Sequence, residues 1–418
     1  MRQRIAIIGG GIAGLTSAYL LNKHYDITLY EKADRIGGNA YTYTTRDGDR
    51  ADIGVMSFVK PVYKNFFKLL DRLNIKTTLY TGLAGCFVNM DSGESVNFAP
   101  RPAAMLAQGF GMFKPGLIKS AICMQNGLRT AGRLFDNNEV DGLTLEEGLK
   151  KVPEIYGDGK LLYLGTLCMM SSMHCDGVLA APAAYFFEKA KKYEKIYPPK
   201  VLFYVRFMKN QTRSYLDALS AGFRDRIVLN ARIRAIARSA KDVTLCMEDG
   251  QKSVYDKVVL ACNADQALRL LDKATDRENN LLGAWTYTTS NMIVHSDHSL
   301  FPKKELISGY TFLYRPAGRY IQTSVSFSLW ILPGVSKRSN LMITQHCNFP
   351  IKEEKIEFQR DFRTPNYDFR SYAAIKELPS LNGANNTYYC GSHFGFGLHE
   401  DAVTSAMNVA RQLGGDVI

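Results

Sequence analysis

Arg4-Ile-Ala-Ile-Ile-Gly-Gly-Gly-Ile-Ala-Gly-Leu-Thr-Ser-Ala-Tyr-Leu-Leu21 is the segment from which the architecture of the chain can be predicted. A short apolar run is followed by a cluster of glycines and then by a helical pattern, which predicts a strand, a tight turn and a helix. Gly9, Gly11 and Gly14 have the spacing G-x-G-x-x-G, in which glycines permit the turn, admit a pyrophosphate and let the helix pack on the strand. Unpaired N–H groups at the start of such a helix attract phosphate, so the segment predicts a nucleotide site.

A second apolar run, Asp26-Ile-Thr-Leu-Tyr30, follows the predicted helix and ends at Glu31. Glu31 lies twenty positions after Gly11, where a second parallel strand would present its carboxylate to a ribose hydroxyl. A glycine motif alone is also compatible with an ordinary glycine-rich turn. Strand, turn, helix, strand and acid at this spacing together favour an adenosine diphosphate moiety with a free 2′-hydroxyl.

The residues after Glu31 resemble a known cofactor signature. Glu31-Lys-Ala-Asp-Arg-Ile-Gly-Gly38 is followed by Asn39 and later by Asp52-Ile-Gly54. An acid, an arginine and paired glycines in this order resemble the FAD-binding signature of the flavin amine oxidase, protoporphyrinogen oxidase and phytoene desaturase superfamily. The segment Val55–Ile75 is similar to a bacterial subgroup of predicted NAD/FAD-binding, amine-oxidase-like proteins. The resemblance implies FAD as a non-covalent cofactor.

The resemblance also implies which residues contact FAD. Glu31 would hold the adenosine ribose, Arg35 and Gly38 would approach the pyrophosphate and ribityl region, and the backbone around Ile233 would meet the adenine. Taken by itself, Arg35 would be read as a solvated surface charge. The residues implied in cofactor binding are Gly9, Gly11, Ile12, Ala13, Gly14, Glu31, Lys32, Arg35, Gly37, Gly38, Asn39, Gly54, Val55, Ile233, Ala261, Gly391, Ser392, His399, Glu400, Asp401 and Ala402.

The end of the chain carries the second strong part of the resemblance. Asn386–Cys390 is predicted to be a strand, Gly391–Asp401 a loop, and the following residues an amphipathic helix. In the superfamily this helix points its N-terminus at the N1–C2 carbonyl edge of the flavin, where it would stabilise negative charge on the reduced ring. Ser392 stands where many relatives have an acid. The side chains expected near the ring or the substrate are His393, Phe394, Phe396 and His399, and the candidate general bases are His399 and Glu400.

Two predicted domains alternate along the chain, whose 418 residues exceed the usual size of one hydrophobic core. The expected fold class is α/β, with a Rossmann-type (GR2-like) FAD-binding domain interleaved with an α+β substrate domain. Residues 1–56, 216–276 and 386–418 are assigned to the FAD-binding domain. Residues 57–215 and 277–385 are assigned to the substrate domain.

The substrate domain contains apolar and aromatic segments. Leu161–Met173 is strongly apolar and rich in methionine, which suits the wall of an apolar ligand site, although such a stripe is more often plain core. Ala103–Phe135 is a basic amphipathic segment that could lie on a membrane, but helices packed on the domain are the preferred interpretation. The aromatic, β-rich runs after Arg277 predict a sheet beneath the flavin. His295 and His298 are expected to be structural.

The composition, with 46% hydrophobic and 22% charged residues, is that of a globular protein. The net charge of +12 is compatible with nucleic acid, an anionic membrane surface or an acidic substrate, but the basic residues are scattered. The densest group, Lys189–Lys192 with Lys195 and Lys200, also contains acids, so a solvated helix face is favoured over a nucleic-acid patch. No nucleic-acid partner is expected.

Eight cysteines lie far apart without a C-x-x-C pair, which favours reduced, buried thiols in a cytoplasmic protein. His174-Cys175 has no second cluster at ligand spacing, so no metal site is expected. No apolar run approaches the roughly eighteen residues that span a bilayer. The expected location is cytoplasmic, with peripheral contact to the inner membrane as an alternative.

The expected function is that of an FAD-dependent oxidoreductase that takes hydride from a small apolar substrate to flavin N5. Dioxygen or another electron acceptor would then reoxidise the flavin. The sequence does not decide whether the substrate is a fatty-acyl chain or an amine or cyclic imine-type compound. It also leaves open whether the enzyme is an oxidase or a desaturase. A flavin-dependent isomerase of fatty-acid double bonds is one alternative. A non-catalytic carrier of lipid or prenyl groups is another, although the complete set of glycines and acid argues against it.

Overall fold

The computed structural model describes residues 2–79, 85–97, 115–193, 204–301, 309–317, 320–345 and 347–418. The α-helices are α1 (Ile12–Leu21), α2 (Lys64–Arg72), α3 (Pro115–Asp136), α4 (Leu145–Lys150), α5 (Gly157–Ser171), α6 (Cys175–Ala180), α7 (Ala183–Lys192), α8 (Arg213–Ser220), α9 (Ala264–Leu270), α10 (Asp276–Leu282), α11 (Phe369–Ile375) and α12 (His399–Gln412). The strands are β1 (Arg4–Ile8), β2 (Asp26–Tyr30), β3 (Ala40–Thr44), β4 (Arg50–Gly54), β5 (Phe58–Val59), β6 (Thr77–Leu79), β7 (Gly85–Asn89), β8 (Ser95–Asn97), β9 (Val205–Met208), β10 (Ile227–Val228), β11 (Ile233–Arg238), β12 (Val243–Met247), β13 (Lys252–Tyr255), β14 (Lys257–Leu260), β15 (Tyr287–His295), β16 (Tyr310–Ala317), β17 (Tyr320–Ser328), β18 (Met342–Gln345), β19 (Ile356–Pro365) and β20 (Thr387–Tyr389).

A sheet of five parallel strands, in the order β10-β2-β1-β14-β20, contains the N-terminal segment. In its central strand β1, the side chains of Ile5, Ala6 and Ile7 are fully buried. A parallel sheet is covered on both faces, which explains why β1 is a continuous apolar run rather than an alternating one. The predicted α/β class is confirmed.

The order of the strands places a crevice beside β1. The chain passes from β1 through α1 to β2 on one side, whereas β14 pairs with β1 on the other side. A parallel sheet opens a crevice at the carboxyl ends of its strands where the chain changes direction in this way. The strands of this sheet lie within the three ranges assigned to the FAD-binding domain, but the domain boundaries themselves stay a prediction.

Helices α1 and α12 pack against each other beside this sheet. Nine of the ten residues of α1 are buried, which matches its apolar and small side chains. Gly14, in the first turn of α1, has no room for a side chain, because an added Cβ would lie 1.9 Å from the carbonyl oxygen of Gly9. The third glycine of the motif therefore serves the packing of the helix on the turn.

A second, mixed sheet has seven strands in the order β19-β15-β18-β17-β16-β7-β8, of which only β16 and β7 pair in parallel among the described pairings. The predicted β-rich runs after Arg277 correspond to β15, β16, β17 and β18 and are confirmed, apart from His346, which lies outside the described residues. The alternating residues 79–98, with a turn at Asp91-Ser-Gly93, predict a hairpin, and β7 and β8 form it. Residues 80–84 and 98 lie outside the described residues. Smaller sheets are β3-β4, β5-β9-β6 and β11-β12-β13.

The long helix α3 packs against α5 and α7. Its side chains Met124, Leu128 and Ala131 are buried, which agrees with the packed-helix interpretation, while Ile122 is exposed. Residues 103–114 of the predicted amphipathic segment lie outside the described residues. Within the described helices, none combines the length and the apolar character that crossing a bilayer requires.

Helix α7 corrects one prediction. Lys191 and Lys192 are exposed as expected, but the side chain of Lys189 is completely buried. Its Nζ donates hydrogen bonds to the hydroxyl of Tyr185 at 3.1 Å and to the carbonyl oxygen of Phe396 at 3.3 Å. The prediction of a solvated face is therefore wrong at Lys189, because a helical pattern cannot show which long side chain is covered by a distant loop. Lys195 and Lys200 lie outside the described residues.

Candidate functional site

A cavity of about 580 Å³ lies at the carboxyl ends of the parallel strands. Gly9 follows β1, Glu31 follows β2, Ala261 follows β14 and Gly391 comes shortly after β20, and all four line the cavity. The crevice predicted from the strand order is therefore a real cavity. The predicted cofactor residues in its lining are Gly9, Gly11, Ile12, Ala13, Glu31, Lys32, Arg35, Gly37, Gly38, Asn39, Val55, Ile233, Ala261, Gly391, Ser392, His399 and Ala402.

The glycine turn leaves space for a ligand at one position. Gly9 has a φ of +112° and packs on β14, since an added Cβ would lie 2.8 Å from the carbonyl oxygen of Ala261. At Gly11 an added Cβ would meet no protein atom within 4 Å. Gly11 is also the N-cap of α1 and provides no side-chain hydrogen bond to the first amides of the helix. Those amides, at Ile12 and Ala13, are therefore available to an anion.

Glu31 is held at the edge of the cavity by the backbone. Its Oε2 accepts a hydrogen bond from the amide of Gly10 at 2.6 Å, and its Oε1 accepts one from the amide of Ala33 at 2.9 Å. The residue is only 9% exposed. A carboxylate has about four acceptor positions, so the two backbone bonds leave capacity for the hydroxyl groups of a ribose.

Most N–H groups of the Arg35 guanidinium donate hydrogen bonds to carbonyl groups of its own loop. NH1 donates to the carbonyl oxygens of Ile36 and Ala40 at 3.0 and 3.2 Å, and NH2 donates to that of Gly38 at 2.8 Å. The Nε atom is buried and has no hydrogen-bond partner. Burial, followed by the nearby charge of Arg360, lowers the pKa of Arg35 to about 10. Arg35 therefore shapes the loop, and one N–H of its NH2 is not used by the loop.

Several lining residues were not found from the sequence. Arg360 and Arg363 lie on β19, in the segment Phe358-Gln-Arg-Asp-Phe-Arg363, where the only sequence signal is basic residues within an aromatic strand. The additional lining residues are Ile8, Tyr30, Ala33, Ala40, Ala231, Cys262, Asn263, Gln266, Arg269, Leu270, Arg360, Asp361, Arg363, His393, Gly397 and Leu398. Of these, the family resemblance implied that Cys262 and Asn263 lie beside the cofactor, and His393 was expected only as a neighbour of the ring or the substrate.

The charge of the lining fits an anionic ligand. Five basic side chains line the cavity, against two acidic ones. The open space at Gly11 and the free amides of α1 lie in the same cavity. The residues present therefore fit a dinucleotide with a central diphosphate.

The start of α12 forms another wall of the cavity. Leu398, His399 and Ala402 line it, while the Oδ2 atom of Asp401 accepts hydrogen bonds from the amides of Phe396 and Leu398 at 3.0 and 2.8 Å. Burial raises the pKa of Asp401 to about 6. Asp401 is absent from the cavity lining and instead fixes the turn that leads into α12.

Glu400 is committed to another helix. Its two carboxylate oxygens accept hydrogen bonds from the amides of Asn65 and Phe66 at 2.8 and 2.9 Å, at the start of α2. Burial raises the pKa of Glu400, and the side chain is not part of the cavity lining. The side chain is thus held at the start of α2, outside the cavity lining, and its roles as a general base and as an FAD contact stay predictions.

His399 lies in the cavity wall in an aromatic setting. Its Nε2 is 3.1 Å from the hydroxyl of Tyr215, and its ring packs against Phe58 and Phe66. Burial lowers the pKa of His399 to about 3, so the imidazole is neutral at pH 7. A group with so low a proton affinity is a poor proton acceptor, and its role as a general base stays a prediction.

Gly54, like Gly14, serves packing rather than the cavity. It has a φ of +85°, and an added Cβ would lie 2.3 Å from the carbonyl oxygen of Asn39 and 2.9 Å from the ring of Phe362. It is not among the residues that line the cavity. Glycine is needed there because β4 and β19 approach each other closely.

Comparison with protein families gives one match over most of the chain. A family model described as flavin containing amine oxidoreductase matches residues 12–340. An L-amino-acid oxidase from Siganus canaliculatus is 25% identical over 347 residues, covering 76% of this chain and 61% of that protein. A coproporphyrinogen III oxidase from Staphylococcus aureus is 27% identical over 299 residues, covering 62% and 60%. The chain thus spans less than two thirds of the length of these relatives.

Several solved structures resemble nearly the whole chain. A CLA-producing fatty acid isomerase from P. acnes has a TM-score of 0.70 and 19% identity, with 98% of each chain covered. Cyclohexylamine oxidase from Brevibacterium oxydans IH-35A has a TM-score of 0.70 and 14% identity, with 99% of this chain and 100% of that chain covered. At these identities the comparison shows a shared fold.

Proposed function

The chain belongs to the family of flavin-containing amine oxidoreductases, and from this premise we propose that it is an oxidoreductase that binds FAD non-covalently in the cavity of the five-stranded sheet. The observation that carries the proposal is the convergence of the glycine turn, Glu31 and the start of α12 on one cavity. A family whose description names a flavin, together with a cavity suited to a dinucleotide, supports FAD in particular.

The proposed arrangement assigns parts of the cavity to parts of FAD. Glu31 and Ile233 would hold the adenosine, and the amides at the start of α1 would meet the diphosphate. Val55, Gly391 and Ala402 would lie beside the flavin end, as the family resemblance implies. We also propose that FAD contacts the other lining residues predicted from the sequence, namely Gly9, Gly11, Ile12, Ala13, Lys32, Arg35, Gly37, Gly38, Asn39, Ala261, Ser392 and His399.

Cys262 supports non-covalent attachment. Among the described residues that line the cavity, Cys262 is the one cysteine. Burial raises the pKa of its thiol to about 12. The thiolate is the reactive form of cysteine, so a thiol with this pKa is a poor nucleophile toward a ring. We therefore expect denaturation to release all of the flavin from the protein.

When bound, FAD would supply a two-electron acceptor for hydride from a substrate C–H bond, and it would pass the electrons to dioxygen or another acceptor. The protein would supply the partial positive charge of the α12 N-terminus, which stabilises nearby negative charge by about 0.3–1 kcal/mol. Phe58, Phe66 and the neutral ring of His399 would exclude water from this end of the cavity.

The proposed substrate is a small apolar molecule, either an amine or cyclic imine-type compound or a fatty-acyl chain. The support is the buried aromatic surroundings of the α12 start and the fold shared with both a cyclohexylamine oxidase and a fatty acid isomerase. A cytoplasmic location stays a prediction, with peripheral contact to the inner membrane as its alternative.

The test is anaerobic mixing of the FAD-loaded protein with a panel of alkyl and cyclic amines and of fatty-acyl chains. One class should bleach the flavin absorbance, air should restore it, and the product should have lost two hydrogen atoms. A product of unchanged mass with a displaced double bond would instead indicate an isomerase. Uptake of an acyl or prenyl group by protein that binds no FAD would indicate a carrier. Protein that binds FAD but is bleached by no member of the panel would contradict the proposal.

A further inference from the structure

We propose that Arg360 and Arg363, on strand β19 of the seven-stranded sheet, bind the diphosphate of the dinucleotide and thereby join the two sheets through the ligand. This inference rests on the proposed function. It assigns a binding role to a strand that lies outside the cofactor motif of the sequence. The arginines would act by position and charge, and they take no part in the chemistry.

Strand β19 belongs to one sheet but contributes to the cavity of the other. It pairs along its whole length with β15, from Ile356 to Pro365. Arg360, Asp361 and Arg363 nevertheless line the cavity. The backbone of β19 is attached to the loop after β2, because the side-chain amide of Asn39 donates to the carbonyl oxygen of Arg363 at 3.0 Å. The cavity therefore has walls from both sheets.

Arg360 and Arg35 are neighbouring positive groups that share one aromatic ring. The guanidinium carbon of Arg360 is 4.5 Å from the centre of the Tyr41 ring, and that of Arg35 is 4.4 Å from the same point. Among the described residues, neither arginine forms an ion pair within 4.0 Å. Two like charges beside a cavity repel each other, and an anion bound between them would relieve that repulsion.

Arg363 is held in place by side chains of α9. Its NH2 is 3.0 Å from Oδ2 of Asp265. The side-chain amide of Gln266 is placed with its oxygen toward the two basic side chains. This oxygen accepts hydrogen bonds from NH1 of Arg363 at 3.1 Å and from Nζ of Lys32 at 2.9 Å. A guanidinium has five N–H donors, so these bonds fix Arg363 and still leave donors for a phosphate.

The distribution of charge points to the diphosphate. It is the only part of FAD that is negatively charged at neutral pH, and the lining carries five basic side chains against two acidic ones. Arg35, the arginine of the sequence motif, uses both N–H groups of NH1 and one of NH2 on the carbonyls of its loop. Of the other lining arginines, Arg269 is 64% exposed and paired with Asp265, whereas Arg360 and Arg363 can supply the donors that Arg35 does not.

The experiment measures the binding of ADP and of adenosine by calorimetry, so that it needs no flavin chemistry. In the unsubstituted protein ADP should bind more tightly than adenosine. Arg360→Met and Arg363→Met should each weaken ADP binding roughly tenfold to hundredfold, as expected for hydrogen bonds to a charged group, and leave adenosine binding within about twofold. Arg370→Met, which removes an exposed arginine of α11, is the matched control and should change neither.

A second measurement tests the connection between the sheets. ADP should slow hydrogen exchange in peptides covering residues 356–365 of the unsubstituted protein, and this protection should be lost in the Arg360→Met, Arg363→Met double variant. Among the described residues, the side chain of Arg360 makes no hydrogen bond or ion pair, so Arg360→Met should fold normally. Arg363→Lys is the milder variant at the second site.

The outcomes separate the two proposals. If the unsubstituted protein binds FAD and ADP but the methionine variants bind ADP as tightly as it does, the role of Arg360 and Arg363 is overturned and the proposed function stands. If the unsubstituted protein binds neither FAD nor ADP, the proposed function fails, and this inference fails with it.

Discussion

Gly11 and Gly14 belong to one motif but require glycine for different physical reasons. At Gly14 a methyl group would collide with the backbone of Gly9, whereas at Gly11 it would enter empty space in the cavity. Gly11 also has a φ of −73° and a ψ of −179°, which residues with side chains adopt freely. Gly11 therefore leaves space for a ligand, whereas Gly14 is needed for packing.

This difference predicts that Gly11→Val gives a folded protein without flavin, because the valine side chain would occupy the space of the diphosphate. The loss of a favourable N-cap residue should cost only about 1 kcal/mol of stability. Gly14→Ala should instead lower the stability by several kcal/mol, since the clash is with backbone. Flavin content and thermal unfolding of both variants are the measurements, and stoichiometric flavin in Gly11→Val would refute the placement of FAD.

Glu31 supports a second prediction at the level of single residues. Glu31→Ala removes the acceptor for the amides of Gly10 and Ala33 and for the ribose. FAD affinity should fall about tenfold to hundredfold, while the spectrum of bound flavin stays the same because the adenosine lies far from the ring. Asp34→Ala, at an exposed neighbouring carboxylate, is the control. Equal FAD affinity in a titration of Glu31→Ala and the unsubstituted protein would count against the ribose role.

At the level of elements, α7 and α12 hold the loop between β20 and α12 from two sides. Lys189 and Tyr185 of α7 donate hydrogen bonds to the carbonyl oxygen of Phe396, and Asp401 of α12 accepts one from its amide. The hydroxyl of Tyr367 donates to the neighbouring carbonyl of Gly395 at 3.0 Å. A loop that lines the cavity is thus fixed by groups that never touch the ligand.

The buried Lys189 makes the stability of this arrangement depend on pH. Burial lowers its pKa from the usual 10.5 to about 8, although the nearby Asp401 acts in the opposite direction. Between these two values the folded protein binds fewer protons than the unfolded chain, so the contribution of Lys189 to stability rises with pH. Met at this position has no such dependence.

The quantity to compare is the free energy of unfolding of Lys189→Met minus that of the unsubstituted protein. We expect this difference to be highest below pH 8. The difference should shift by about 3 kcal/mol in favour of the unsubstituted protein as the pH rises to 10.5. Denaturant unfolding of both proteins at several pH values measures it, and the titration of tyrosines cancels in the comparison. A difference in unfolding free energy that is independent of pH would show that Lys189 is not buried as described.

At the level of the whole molecule, the cavity connects parts of the chain that are far apart in sequence. Its lining residues come from four parts of the chain, within 8–55, 231–270, 360–363 and 391–402. A ligand that binds only when these parts are assembled stabilises the folded state of all of them. Stability should therefore depend on FAD.

Saturating FAD should raise the unfolding free energy by about 2.7 kcal/mol when the ligand is present at a hundred times its dissociation constant. Thermal unfolding with and without FAD is the measurement. Gly11→Val serves as the control and should show no increase, because its cavity is blocked. An equal response of the two proteins would mean that FAD acts elsewhere than in this cavity.

Both ends of the cofactor site could be predicted from the sequence. The spacing of the glycine turn and Glu31 predicts a nucleotide site, because a strand, a turn and a helix that are close together in sequence are also close in space. The same holds for Gly391 and the start of α12, which lie next to each other along the chain. These local patterns also indicated a parallel sheet and the α/β class.

Arg360, Arg363 and the burial of Lys189 followed only from the assembled fold. Each depends on contacts with residues far away in the sequence, namely Tyr41, Asp265 and Phe396. The same assembly committed Glu400 to the amides of α2, a contact across 334 positions that no local pattern contains. Spacing in the chain determines which backbone groups can meet a ligand, whereas the packing of the two sheets determines which distant side chains surround it.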